Sequence, residues 1–553
     1  MPPVSVSNAN IARHLGLMAA TQPQTPALKI PRGRTAEGRI DYLVLTFAEL
    51  DAEVDAWCGR LISRGVRRGD RALVMVRQGL PLIASVFALF KLGAVPVVID
   101  PGMSRETFLA CVARSRPRVL IGIPMARIFS RIFRRAFSSV KNRVAASSAL
   151  THRLTKADAR KRVPAYETAT SGATELAAIL FTSGSTGSPK GVCYEHGMFD
   201  AQVRSIRGTY DITPGEIDLP LLPIFALFNP ALGMTTIVPE IDPRAPASVD
   251  PEKIVQAILQ EKVTSSFGSP TLWKKIGDYC VANNLSLPSL RRVLCAGAPV
   301  PAELWDASRK FLTNGQLHSP YGATEALPAT SISADEIETL VGPGACVGFP
   351  VSEVDVRIIE PADGRLPSMS DTQEVRRGGV GEIIVRGPVV TKVYDDNPAA
   401  TTGAKISFTH DFDTGFWHRM GDCGYLDGDG RLWFCGRKVE RVEARGGMLY
   451  PEPCEQVFRV HPRARRCALI GLGERGEQIP ALVVETAIGG SDDGSVLARE
   501  LHALGAKQAH TAPILIFFFR EKFPVDVRHN AKIHRLALAK WAITADRFEI
   551  GTA

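Results

Sequence analysis

The ten cysteines form no Cys-x-x-Cys pair and no Cys/His spacing of the metal-ligating kind. That argues against structural zinc and against a disulfide framework, and it fits a reducing cytoplasm. The opening "MPPVSVSNANIARH" lacks a basic start followed by an apolar stretch, so no secretory leader is expected. An unbroken apolar run of membrane-spanning length is also missing. The best candidate, "LPLIASVFALFKLGAVPVVI", is interrupted by Lys91, Gly93 and Pro96 and runs into a turn-like "DPG". Neither an internal repeat nor a long low-complexity segment is visible. What remains is ordinary soluble composition, 45% apolar and 22% charged, in 553 residues. That length exceeds one compact core and predicts at least two domains.

The net charge of +9 is local. Arg127 to Arg162 holds eleven Lys/Arg against one acid, Asp158, so the rest of the chain is close to neutral. One basic patch does not make a nucleic-acid-binding protein. Within it, "RIFSRIFRRAFSSVKNR" places Ile128, Phe129, Ile132, Phe133, Phe137 and Val140 on one helical face. Arg127, Arg131, Arg134, Arg135 and Lys141 fall on the other. Such a helix either packs on its own domain with a solvated basic face or docks peripherally on a membrane or partner enzyme. The corresponding localisation is cytoplasmic, with membrane association as the open alternative.

Strand and helix patterns alternate over residues 1–125 and again from 176 to about 400, which predicts layered α/β structure with largely parallel sheets. "TFAELDAEVDAWCGRLISRGV" is an amphipathic helix entered through a Thr cap with Glu three residues later. "GYLDGDGRLWFCGR" is a hairpin around an Asp-Gly turn. After it a small α+β pattern begins, which sets domains at 1–437 and 438–553.

The densest chemistry lies in "FTSGSTGSPKGV", Phe181 to Val192, where eight of twelve residues are Gly, Ser or Thr. It follows an apolar strand, "LAAILF". Glycines let several N–H groups converge on one anion, Thr182, Ser183, Ser185 and Thr186 add hydroxyls, and Lys190 adds charge. A Walker loop requires Gly-Lys-Ser/Thr at its end. Here Pro189 precedes the lysine and removes a needed donor, so a P-loop kinase or ATPase is excluded.

"TSGSTGSPKG" resembles the signature of the adenylate-forming superfamily of acyl-CoA synthetases, adenylation domains and luciferases, and further motifs follow in order. The resemblance implies a large N-terminal domain of layered α/β subdomains with a small β-barrel-like part, plus a small mobile α+β C-terminal domain. It implies ATP and Mg²⁺ as cofactors. By the same resemblance Thr182, Ser183, Gly184, Ser185, Thr186, Gly187 and Lys190 hold phosphates. Gly297, Ala298 and Pro299 of "CAGAP" and Tyr321 with Gly322 of "YGATE" face adenine. Thr324 meets the α-phosphate and Glu325 helps hold magnesium. Asp422 of "MGDCGY" binds the ribose, Arg437 reaches ribose or phosphates, and Lys532 of "RHNAKIHR" is the catalytic lysine. "GEIIVRGP" is the usual strand and turn.

The chain departs from the superfamily's CoA ligases where the thiol enters. Ala226 of "PIFALFNPALG" stands where many carry His, Val439 where the hinge usually has Asp or Lys, and Pro453 where Glu is frequent. The segments "KGVCYEHGMFDAQV", "PIFALFNPALG" and "PVDVRHNAKIHR" are similar to the superfamily branch that makes β-lactones in bacterial long-chain olefin biosynthesis. This implies a lipid substrate, a long-chain 2-alkyl-3-hydroxy acid, and a neighbouring pathway enzyme such as a β-lactone decarboxylase. Phe225, Ala226, Phe228, Asn229 and Ala323 are the expected acyl-pocket residues, against plain core packing for the apolar run. His196 and His318 are candidates for the base that takes the β-hydroxyl proton. A long-chain acyl-CoA or acyl-AMP ligase remains the alternative activity, and a silent lipid-binding scaffold the third.

Overall fold

The structure, a computed structural model, describes residues 8–146, 164–181, 189–242, 248–409, 415–488, 490–525 and 533–551. It divides into two compact units. The first comprises Met1–Ala329, Val351–Val354 and Arg386–Gly403, and the second the rest of the chain. The expected boundary at 437/438 lies inside the second unit.

Two sheets organise the first unit. One has six strands in the order Asn142–Ala145, Val119–Gly122, Arg71–Met75, Val95–Ile99, Leu176–Phe181, Gly191–Glu195, parallel except for the last pair. The strand Leu176–Phe181 alternates half-buried and buried side chains, the period-two pattern of a sheet under helices. The other runs from Gln316–Ala323 through Arg292–Cys295, Ser265–Gly268, Ile217–Asp218 and Thr235–Ile237 to the hairpin Pro26–Arg34/Ile40–Thr46. Its strands are parallel up to that hairpin.

The helix Phe47–Ser63 begins as its sequence predicts. Thr46 Oγ1 accepts from the Glu49 N–H and the Glu49 carboxylate accepts from the Thr46 N–H. The apolar stretch beginning at Leu80 is a twelve-residue internal helix, Leu80–Lys91. Its buried Lys91 is neutralised by Asp55 at 2.6 Å and Asp51 at 3.0 Å. Among the described residues no helix is long and apolar enough to cross a membrane.

The basic segment differs from its expected form. The helix covers only Pro124–Ile132; turns follow, and then the strand Asn142–Ala145. Phe129, Phe133, Phe137 and Val140 pack into the core beside Phe108, so aromatic burial ends the helical run that periodicity alone would extend.

In the second unit the strands Gly381–Arg386, Phe416–Leu426, Leu432–Arg437 and Ala345–Pro350 pair antiparallel in that order. The expected Asp-Gly hairpin joins the second and third. Asp427 Oδ1 accepts from the Asp429 and Arg431 N–H groups, and Gly430 takes the positive φ of +95° that closes the turn. The remaining four-stranded sheet is Arg466–Leu472, Ile479–Glu485, Ile516–Arg520 and Phe548–Glu549. It carries an apolar cluster on each face, one around Phe458 and Phe517, the other around Phe518 and Leu538.

Candidate active site

The glycine-rich segment connects two paired strands. Phe181 lies opposite Gly191, and a Cβ on Gly191 would come within 2.6 Å of the Phe181 ring, so the base of the connection is tight. Thr182, Ser183, Gly184, Ser185, Thr186 and Gly187 lie outside the described residues, and so does Lys532. The downstream shoulder is described. Arg114 donates to the Pro189 carbonyl at 3.0 Å, and the segment 386–403 runs along the strand Gly191–Glu195. In that strand the Gly191 carbonyl accepts from the Asp395 N–H at 2.7 Å, and the Cys193 N–H donates to the Val393 carbonyl at 3.2 Å. The buried Asp395 carboxylate is held by both terminal nitrogens of Arg71, at 2.8 and 3.2 Å.

This alignment brings together two residues far apart in sequence. Lys190 Nζ lies over the Tyr394 ring, 4.9 Å from its centroid. The Tyr394 hydroxyl donates to Glu325 Oε1 at 2.7 Å. The Glu325 backbone carbonyl accepts from the Thr391 N–H at 2.8 Å, and the Tyr194 hydroxyl donates to the Thr324 carbonyl at 2.5 Å. Burial raises the pKa of Tyr194, so it remains a donor. Thr324 and Glu325 thus sit in a turn pinned from two sides. Gly322 allows that turn, because a Cβ there would lie 2.4 Å from the Ala326 carbonyl oxygen.

Parallel pairing of Arg292–Cys295 with Gln316–Ala323 places the 297–299 loop and Tyr321 at the same carboxyl edge of the sheet, where open α/β sheets bind ligands. Gly297 takes φ +100°, and it and Pro299 are exposed, while Ala298, Tyr321, Gly322 and Ala323 are half-buried.

The expected pocket run is a 3₁₀ turn, Pro223–Phe228, followed by a short helix, Asn229–Leu232. Phe225 stacks on Phe267 with centroids 3.6 Å apart, and Phe228 stacks on Phe199 at 4.8 Å. Ala226 is buried in the main cluster. Asn229 is buried too. Its Nδ2 donates to Asp218 Oδ2 at 2.9 Å and Thr236 Oγ1 at 2.8 Å, so it fastens the turn to the sheet. Burial pushes the Asp218 carboxyl up to about 7.

The two histidines differ. His196 is buried, its Nδ1 accepts from the Ile11 N–H at 3.2 Å, and burial pulls its pKa down to about 4. A ring so weakly basic and already engaged is a structural acceptor. His318 is half-buried and meets Tyr210 edge-to-face at 5.4 Å.

In the second unit, antiparallel register sets Asp422 opposite Arg437, and Arg437 Nη1 donates to the buried Asp422 carboxylate at 2.5 Å. The described residues on either side of Lys532 meet each other. Val525 bridges Ile533, and the His534 N–H donates to the Pro524 carbonyl at 3.0 Å. Arg535 then forks onto Glu455 at 2.7 and 2.8 Å and reaches Glu440 at 3.0 Å. Among the described residues no group of three or more His, Cys, Asp or Glu is arranged to hold a metal.

The sequence reading missed Tyr194, Tyr394, Asp395 and Arg71. The available signal was a tyrosine and two acids shortly after "GEIIVRGP". The pairing partner of Asp395 lies 324 residues away, beyond any local pattern.

Comparison with known proteins gives the family and the fold. The profile of a family described as AMP-binding enzyme matches residues 18–395. The chain is 43% identical over 547 residues to an olefin beta-lactone synthetase of Xanthomonas campestris pv. campestris, covering 96% of this chain and 97% of that one. A second olefin beta-lactone synthetase, from Stenotrophomonas maltophilia, is 42% identical, with 96% and 98% covered. A feruloyl-CoA synthase of Amycolatopsis is 29% identical, with 82% and 86% covered. Among solved structures, ATP-bound MatB from Rhodopseudomonas palustris superposes with a TM-score of 0.78 at 23% identity, covering 97% of this chain and 99% of that one. The o-succinylbenzoate coenzyme A synthetase MenE from Bacillus subtilis, in complex with ATP and magnesium ion, gives 0.75 at 22% identity, covering 95% and 98%. Both have the same mixed α/β fold.

Proposed function

The chain belongs to the AMP-binding enzyme family, and from that premise we propose that it activates a long-chain 2-alkyl-3-hydroxy acid as its acyl-adenylate and closes it to a β-lactone. The observation that carries this reading is identity above 40% across nearly the full length with two olefin beta-lactone synthetases.

In the first step a carboxylate oxygen attacks the α-phosphorus of ATP and pyrophosphate leaves. Placement and charge neutralisation are what such a step requires. The glycine-rich segment and Lys190 hold phosphate oxygens, Thr324 meets the α-phosphate, Asp422 and Arg437 hold the ribose, and Lys532 neutralises charge in the transition state. Glu325 fits a magnesium ion: Tyr394 takes one hydrogen bond at Oε1, and a carboxylate has further lone pairs to offer. Magnesium, when bound, supplies charge neutralisation to the phosphates.

In the second step the substrate's own β-hydroxyl oxygen attacks the activated carbonyl. The C–O bond to phosphate breaks, AMP leaves with its electron pair, and the hydroxyl proton is released. An internal nucleophile gains from high effective molarity and needs no thiol tunnel, while the strain of the four-membered ring opposes closure and the reactive mixed anhydride offsets it. The aromatic series Phe267–Phe225–Phe228 is suited to an alkyl chain and to excluding water from the anhydride. A decarboxylating enzyme then consumes the lactone.

The test is to incubate the full chain with ATP, Mg²⁺ and a 2-alkyl-3-hydroxy acid, with and without CoA, and analyse products. AMP and β-lactone form without CoA if the reading holds. AMP release only with CoA, giving a thioester, overturns it in favour of an acyl-CoA ligase.

A further inference from the structure

The basic segment divides its apolar residues between two jobs. On the helix Pro124–Ile132, Ala126 and Ser130 are buried and Phe129 packs inward against Phe133 and Phe137. Met125, Ile128 and Ile132 are instead 70%, 50% and 68% exposed, far more than a core-directed face leaves open. Their spacing of three and four residues puts them on one stripe. Arg131 on the same helix, and Arg134, Arg135 and Lys141 shortly after it, are exposed as well.

Charges of one sign gather there. After burial, Arg64 and Arg127 lower the pKa of Arg60, and Arg131 and Arg134 lower that of Arg143, so guanidinium groups from two helices and a strand face one another. Several exposed arginines elsewhere have carboxylate partners, as Arg68 has Glu175, Arg105 has Glu106 and Arg116 has Asp396. Among the described residues, none of Arg127, Arg131, Arg134, Arg135 and Lys141 pairs with a carboxylate.

We propose that this helix is a docking face for an anionic lipid bilayer, with Met125, Ile128 and Ile132 entering the headgroup boundary and Arg131, Arg134, Arg135 and Lys141 meeting lipid phosphates. An aliphatic stripe accompanied by unpaired cations matches a surface that is apolar beneath and anionic above. Nucleic acid offers no partner for three exposed aliphatic side chains. The inference does not depend on the substrate assigned above, although a bilayer would also hold a long-chain acid.

The test uses the full chain and vesicle flotation without substrate. Vesicles are phosphatidylcholine alone or phosphatidylcholine with phosphatidylglycerol. Two variants are compared with the unaltered protein, Arg131→Glu/Arg134→Glu/Arg135→Glu and Met125→Ser/Ile128→Ser/Ile132→Ser. All substituted side chains but none of the active-site residues change, so thermal melting and vesicle-free pyrophosphate release should match the unaltered protein and report folding. The unaltered protein should float with the anionic vesicles and be released by salt. Each basic side chain at such a surface strengthens binding about fivefold, so the charge-reversed variant should lose well over tenfold. The serine variant should also lose at least about tenfold, through lost insertion. Absence of vesicle binding by the unaltered protein, equal flotation of either variant, or retention on heparin or an acidic protein instead of vesicles overturns the proposal.

Discussion

Tyr394→Phe isolates the contact on which the first unit's site geometry turns. The ring stays under Lys190, and only the hydroxyl that donates to Glu325 Oε1 at 2.7 Å is lost. A hydrogen bond to a charged acceptor contributes about 1.5–3 kcal/mol when shielded, but Glu325 is half-exposed and water can replace the donor. The expected loss is therefore about 1–1.5 kcal/mol, a five- to tenfold effect on whatever depends on the carboxylate's direction. If Glu325 holds magnesium, pyrophosphate release measured against Mg²⁺ should show the half-saturating concentration rising about five- to tenfold, with the rate at saturation nearly kept. Tyr394→Leu removes the ring as well and should weaken ATP binding further, by about 0.5–2 kcal/mol of lost cation–π attraction. An unchanged Mg²⁺ dependence in Tyr394→Phe, with only a lower melting temperature, would refute the reasoning and leave Tyr394 a packing residue.

Lys532→Ala should slow pyrophosphate release by roughly 10²–10³-fold, the scale for one lost electrostatic donor, whereas a normal rate would remove Lys532 from the chemistry. Asp395→Ala frees Arg71 and loosens the shoulder after the glycine-rich segment; a stability loss of about 1–3 kcal/mol, seen as a lower melting temperature in calorimetry, and a raised KM for ATP are expected. His196 has its folded pKa held near 4, below the ordinary 6.5. Its neutral ring therefore stabilises the fold above pH 6.5, and that contribution, up to about 3 kcal/mol, is lost as the pH falls towards 4. His196→Gln should flatten the fall in melting temperature over that window and leave the pH profile of lactone formation in place; loss of an activity limb near pH 6–7 would restore His196 as a base.

What the sequence made legible was whatever is local. The Thr46 cap, the Asp427 turn and the strand before the glycine-rich segment are short patterns in which neighbours decide the geometry. The hairpin was legible in the same way, but the pairing of Asp422 with Arg437 that its register produces was read only from the structure. The basic helix was overextended because a periodicity of apolar residues cannot say which of them the core will take. Phe129, Phe133 and Phe137 satisfy each other at the end of a shorter helix. Tyr394 and Asp395 were illegible for a different reason. They act by crossing back to Lys190, Glu325 and Arg71, and only the assembled sheet makes those residues neighbours. Asn229 looked like a pocket residue from its motif, but the Asp218 and Thr236 side chains claim its amide.

The segment Lys438–Glu440 is anchored twice within the second unit. Lys438 Nζ lies 3.0 Å from both Glu382 oxygens and 2.7 Å from the Ala362 carbonyl. Glu440, two residues on, meets Arg535 at 3.0 Å, three residues past Lys532. Val439 alone separates these two anchors. Where an outside thiol must enter, such a segment has to let go; where the nucleophile is already part of the bound acid, one arrangement can serve adenylation and ring closure alike. Glu440→Gln weakens the second anchor while Glu455 still holds Arg535. Both pyrophosphate and lactone formation should then slow by the same factor, about five- to tenfold for a charge-assisted hydrogen bond made neutral. Quench-flow measurement of acyl-AMP and lactone in single turnovers separates the steps. Acyl-AMP that accumulates at the normal rate while ring closure alone slows would mean that the lid takes a second arrangement for closure, and the argument from an internal nucleophile would fail.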